Sequence, residues 1–140
     1  MKAKDFLQQG KFLNELIREQ MNEIENTDQL ISDMNTLIAR MDKEEEPEDA
    51  KLSGSLRDVR HYEEMLQKKL AELIATKHEL TEMIDRIPEA EYRLIIKKRY
   101  LDMMPWEDIA IDSNKQIRWV QVIHGRALER LQEVLDAAGK

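Results

Sequence analysis

Cysteine is absent from this 140-residue chain, which excludes disulfide frameworks, thiolate metal sites and thiol nucleophiles and removes any need for an oxidising compartment. Glycine and proline are scarce, at four and three residues, and aromatic residues make up only 5%, so the turn material of a many-stranded sheet is missing. Uninterrupted apolar runs reach three residues, as at Leu94-Ile95-Ile96, far short of the roughly 20 needed to cross a bilayer. The opening MKAKDFLQQG lacks a signal-peptide core, and the expectation is a soluble cytoplasmic protein without a membrane partner. Catalytic signatures are also missing. No Gly-rich phosphate loop, Ser-His-Asp grouping or isolated acid pair stands out, so neither enzyme activity nor a cofactor is expected. The KHELTE segment lacks the second histidine of a zincin site and DVRH lacks partner carboxylates, so no metal site is expected either. His61, His78 and His124 read as ordinary polar residues.

Charge, by contrast, is plentiful and unevenly placed. The net charge is -7, which argues against a general polyanion binder. Residues 1–87 hold 13 Lys and Arg against 20 Asp and Glu, whereas residues 88–140 hold nine of each. Two segments of different electrostatics suggest two roles.

Apolar residues recur at spacings of three and four from Phe6 onward, with Leu13, Ile17, Ile24, Ile31, Met34, Ile38 and Met41 on one seam. Phe12, Leu16, Met21, Leu30 and Leu37 widen it. Gly10 falls on this seam, where a helical glycine costs about 1 kcal/mol and loosens the first turns. The acidic stretch 42–54 then reads as a solvated loop. Helix resumes near Ser55, with Val59, Tyr62, Leu66, Leu70, Leu73, Leu80, Ile84 and Ile87 repeating the spacing until Pro88 ends it. Two such helices joined by one loop predict an antiparallel, coiled-coil-like hairpin over 1–87, whose wide stripes favour homo-oligomerisation, with a dimer preferred.

Beyond Pro88 the elements shorten. EAEYRLIIKKRYLDM reads as one helix with Leu94, Ile95, Tyr100 and Leu101 facing inward, PWEDIAID as a second opened by Pro105, and a third begins near Ser113. The fold class is therefore all-α, a long hairpin followed by a helix-turn-helix module over 88–140. In that module Ala110 is the small residue where the helices cross, Asn114 is the turn residue that tolerates positive φ, and Val120 and Ile123 are anchors. With Val120, Ile123, Ala127, Leu128 and Leu131 inward, Gln116, Arg118, Trp119, Gln121 and Val122 are left outward, within reach of base edges. Trp106 is read as core. Lys97, Lys98, Lys115, Arg118 and Arg126, with Arg99 and Arg130, are the candidate phosphate partners, few enough that specific binding to double-stranded DNA needs a dimer or help from another protein.

The motifs Trp106-Glu107-Asp108-Ile109-Ala110, Ile117-Arg118-Trp119-Val120 and His124-Gly125-Arg126-Ala127-Leu128 resemble region 4 of the primary bacterial sigma factors. They resemble more closely the sigma-region-4-like proteins of phages and prophages of Gram-positive bacteria, which include late-gene activators. The AKDFLQQ opening and long-helix middle extend that resemblance over nearly the whole chain. It implies a sequence-specific transcriptional regulator of phage or prophage genes that reads the major groove with the helix starting near Asn114. It also implies that the positions reading the minus 35 element fall on Ile117, Arg118, Gln121 and Val122. Asn114 stands where the family carries a turn glycine, and Lys115 where an apolar residue follows it. The alternatives are a sigma-like adaptor that binds bacterial RNA polymerase and a small terminase-like DNA-packaging protein.

Overall fold

A computed structural model describes residues 1–41 and 47–140, with side chains apart from those of 47–50. Every described element is helical. In order they are α1 (Ala3–Gln8), α2 (Leu13–Arg40), α3 (Pro47–Asp85), α4 (Ala90–Ile96), a π-helical turn (Lys97–Leu101), α5 (Trp106–Asp112) and α6 (Ile117–Ala137). Among the described residues no helix is long and apolar enough to cross a membrane.

The contacts divide the chain into two compact units, residues 1–15 with 74–140 and residues 16–73. The sequence-based boundary at 87/88 falls inside the first of these. Its core draws on both chain ends: Phe6 and Leu7 from α1, Leu80, Ile84 and Ile87 from the end of α3, Ile96, Ile109, Val120, Leu131 and Leu135 are all essentially inaccessible to solvent. Each such side chain contributes about 1.5–3 kcal/mol of transfer free energy, so this unit carries most of the molecule's hydrophobic stabilisation.

The start of the chain is not a loose continuation of the long helix. The helix breaks between α1 and α2, where Phe12 takes a φ of 58° and Leu13 N–H donates to Gly10 O at 3.0 Å. Gly10 permits close approach here: a Cβ on it would lie 3.1 Å from Leu80 Cδ1 and 3.3 Å from the carbonyl oxygen of Tyr100. The apolar period hides this break because Phe6 and Leu13 both point inward on either side of it. Ala3 is buried too, and its N–H donates to Gln132 Oε1 at 2.8 Å.

In the second unit the three-four seam is the covered face of α2: Ile17, Ile24, Ile31, Met34, Ile38 and Met41 are half-buried and Thr27 is buried. Its hydroxyl is satisfied by Glu23 O at 2.8 Å. Gln20 Nε2 donates to Leu66 O at 3.0 Å, Tyr62 Oη to Glu23 Oε1 at 3.3 Å and Arg60 Nη2 to Asn35 Oδ1 at 3.3 Å. Later positions of α2 thus meet earlier positions of α3. Tyr62 is exposed rather than inward, and Glu63, which fits the same spacing, takes the covered position. Of the expected acidic loop, 42–46 lie outside the described residues, while 47–54 are helical. Pro47 opens α3, at the position where a missing N–H does no harm.

After Ile87 the chain turns on Pro88, where Arg93 Nη1 donates to the carbonyls of Ile87 and Pro88. The expected inner face of the next helix is corrected at one position: Leu94 is exposed, while Ile95 and Ile96 are both buried. Two adjacent buried residues centre the inward face between them, and at 100° per residue this carries position 94 to the opposite side. Leu101 is buried and Tyr100 half-buried.

Candidate functional site

The α5 to α6 connection is built by local backbone chemistry. Pro105 precedes α5, and its carbonyl accepts from Asp108 and Ile109 N–H, both at 3.1 Å. At the other end Lys115 N–H donates to Ala110 O at 2.9 Å and Asn114 N–H to Ile111 O at 3.1 Å. Together these bonds form a Schellman-type stop. That stop needs a left-handed residue, and Asn114 supplies it with a φ of 54°, which Asn adopts more easily than other non-glycine residues. The same conformation corrects the expected helix start. A residue at positive φ cannot begin a right-handed helix, so α6 starts three residues later, with Gln116 as its N-cap and no side-chain capping bond.

Ile109, Ala110 and Val120 form a buried cluster, with Met104, Trp106 and Trp119 packed against it. Ala127, Ile123 and Leu131 are buried as expected, and Leu128 is half-buried. Gln116, Arg118, Gln121, Val122 and Arg126 are exposed along the first half of α6. Trp119 differs: it is half-buried on the cluster, with Lys115 Nζ 5.3 Å from its ring centroid. Its indole supports the corner instead of standing free. Gly125 shares the exposed face, and a Cβ there would meet nothing within 4 Å.

The expected phosphate partners fall into two groups. Lys97 pairs with Asp85 and Lys98 with Asp112, each at 2.5 Å. Arg130 pairs with Glu89 at 2.9 Å and Glu133 at 2.8 Å. Arg99 lies over the Trp106 ring at 4.3 Å and donates to Met104 O at 3.1 Å. Only Lys115, Arg118 and Arg126 of the expected set remain exposed without an ion pair among the described residues. The engagement of Lys97 and Lys98 was not legible in the sequence because Asp85 and Asp112 lie 12 and 14 positions away, beyond helical spacing.

His124 is not an ordinary surface residue. It is half-buried; its Nε2 shares a 2.8 Å hydrogen bond with Tyr100 Oη, in a direction set by the imidazole tautomer, and its ring meets the edge of Trp106 at 4.7 Å. Burial first, then the charges of Lys4 and Arg99, push its pKa down to about 4. Burial also raises the Tyr100 pKa. At neutral pH the pair is therefore uncharged and ties the π-helical turn to α6. The influence of Lys4 shows that the N-terminal segment brings positive charge to this region, a contribution absent from the sequence-based set. Among the described residues no group of three or more His, Asp or Glu is placed to hold a metal ion.

A sequence model of a family described as a protein of unknown function (DUF1492) matches residues 58–122. The chain is similar to that family over a span from α3 through the α5 to α6 corner, ending at Val122 on the exposed face. No curated protein and no solved structure matches the chain.

Proposed function

We propose that the chain is a sequence-specific DNA-binding regulator of phage or prophage genes, acting in the bacterial cytoplasm as a dimer. In this reading the two long helices form the hairpin arm, and α5, the turn and α6 form a helix-turn-helix that sets the start of α6 in the major groove. One observation carries it: Arg118, Gln121 and Val122 are exposed together on the start of α6, while Val120 and Ile123 behind them are buried. A helix held rigidly from behind with polar groups outward suits base-edge readout, Arg toward guanine and Gln toward adenine. The resemblance of Trp106–Leu128 to sigma region 4 agrees with it. Of the expected phosphate contacts Lys115 and Arg126 are retained and Lys97 and Lys98 are not, since the latter are neutralised internally.

The arm exposes Leu16, Leu30 and Leu37 on α2 and Tyr62 and Met65 on α3, apolar surface suited to pairing with a second copy. Selection of bound duplexes from a random pool, combined with light scattering, tests activity and stoichiometry together. An enriched motif bound by a dimer supports the proposal; absence of enrichment refutes it.

The adaptor reading has an observation of its own. Ile111 is 78% exposed beside a shallow hollow of about 710 Å³ lined by Ala110, Asn114, Lys115, Gln116 and Trp119. An apolar corner of this kind suits contact with a protein such as RNA polymerase. Retention of polymerase after nuclease treatment, without a duplex shift, favours that reading.

A further inference from the structure

One cavity of the first unit carries groups that the α6 face does not use. It has a volume of about 230 Å³ and is lined by Leu7, Gln8, Lys11, Arg99, Tyr100 and Met103. One wall comes from α1 and the break after it, the other from the π-helical turn and the residues that follow.

Irregular backbone gathers around it. The π-helical turn Lys97–Leu101 contributes Arg99 and Tyr100, Met103 has a φ of 56°, and Phe12, next to Lys11, has a φ of 58°. Gly10 packs against the Tyr100 carbonyl. Conformations of this sort persist only where the surroundings enforce them, and they cluster at ligand sites.

The chemistry of the walls is that of an anion site. Lys11 and Arg99 are cationic, Gln8 adds an amide, and none of the described lining residues is a carboxylate. Arg99 gives one N–H to Met104 O and one face to Trp106, which leaves further donors of its five-fold set. Lys11 has the Phe12 ring 5.4 Å away and no carboxylate partner among the described residues. Donors arriving from two chain segments suit a tetrahedral oxyanion, whose oxygens point several ways, better than a planar carboxylate. Size narrows the choice. Drug-sized ligands need roughly 300 Å³ or more, so the space fits one phosphate group rather than a whole nucleotide.

We infer that this cavity binds a phosphate group through Lys11, Arg99 and Gln8. The inference does not depend on the DNA reading, because its groups lie outside the α6 face and the phosphate they hold can come from a duplex backbone or from a free phosphate compound. His124 is a nearby reporter: an anion that offsets the Arg99 charge raises the titration midpoint of its ring.

The test is a titration of the isotope-labelled full chain with inorganic phosphate, against chloride at matched ionic strength, followed by nuclear magnetic resonance. Saturable shifts confined to residues 7–11 and 99–103, with an upward move of the His124 midpoint, are expected. Lys11→Gln should weaken phosphate binding about tenfold, the cost of one charge-assisted hydrogen bond. Lys11 is exposed, so the variant keeps its fold, and Gln8→Ala is an independent second variant. Shifts that fail to saturate, that chloride reproduces, or that both variants leave intact would overturn the site. A duplex of unrelated sequence separates the sources. Duplex affinity lowered by Lys11→Gln and competing with phosphate assigns the site to the nucleic acid backbone, whereas duplex affinity unchanged while phosphate binding is lost assigns it to a free phosphate compound.

Discussion

Two side chains on α6 show how one helix divides labour between its faces. Arg118 is exposed and unpaired among the described residues, so Arg118→Ala leaves the melting temperature almost unchanged. If it pairs with guanine, the variant narrows the gap between cognate and scrambled duplexes by about 1–3 kcal/mol, as competition binding would register. Lys97→Ala, which removes a partner of Asp85 and no free charge, should alter duplex affinity far less than Arg126→Ala does. His124 faces the other way and matters for stability. Its folded-state pKa of about 4 lies below the ordinary 6.5, so the unfolded chain takes up the proton first. Its stabilising contribution is complete above pH 6.5 and is lost as pH falls toward 4. About half exposed, the ring is screened by solvent, and the loss amounts to roughly 1–2 kcal/mol. Thermal melts of the wild type and His124→Phe across that window should converge at the acidic end, where the variant loses nothing.

At the scale of elements the decisive features are interruptions. The α5 stop depends on a left-handed residue, so Asn114→Gly should be nearly neutral while Asn114→Val costs about 1–2 kcal/mol by chemical denaturation. Glu63 Oε1 accepts from Gln67 Nε2 at 3.1 Å, whereas Oε2 is buried with no donor among the described residues. The Asp28 carboxylate, which can accept a hydrogen bond only from the protonated Glu63 carboxyl, raises the Glu63 pKa first, followed by burial and the like charge of Asp28. A raised carboxyl favours folding when protonated and loses that benefit as pH rises, so Glu63→Gln should raise the melting temperature at pH 7 and bring no gain at pH 3. The α2 seam and most of the α3 seam were legible in the sequence, because a three-four period repeated over many turns is a strong signal, but the early start of α3 at Pro47 and the exposure of Tyr62 were not. The buried anchors Val120, Ile123, Ala127 and Leu131 and the exposed Arg118, Gln121 and Val122 were legible for the same reason, and the left-handed Asn114 was legible from turn chemistry, since Asn tolerates positive φ. The break at Gly10, the π-helical turn, the ion pairs of Lys97 and Lys98 and the role of His124 were not, since each depends on a neighbour remote in sequence.

Across the whole molecule, burial is lopsided. In residues 16–73 only Thr27 and Leu66 are buried among the described side chains, whereas the other unit holds a dense apolar interior. Native-state hydrogen exchange should therefore be fast along the middle of α2 and α3 and slow in α6, with a spread of several kcal/mol in opening free energy. Dimerisation through the exposed leucines would protect the middle segment in a concentration-dependent way, so exchange at two protein concentrations checks the arm's proposed pairing. The salt dependence of duplex binding belongs to this scale too: contacts from Lys115, Arg118 and Arg126 alone give a log-log slope of about -3 per copy, and twice that for a dimer. The docking of α1 has a practical corollary. A protease that nicks the long middle segment severs the polypeptide without freeing its beginning, because Ala3, Phe6 and Leu7 stay wedged beneath α6. The two fragments would co-elute, and the molecule is thereby suited to split-protein complementation, with the opening peptide as one half of the reporter.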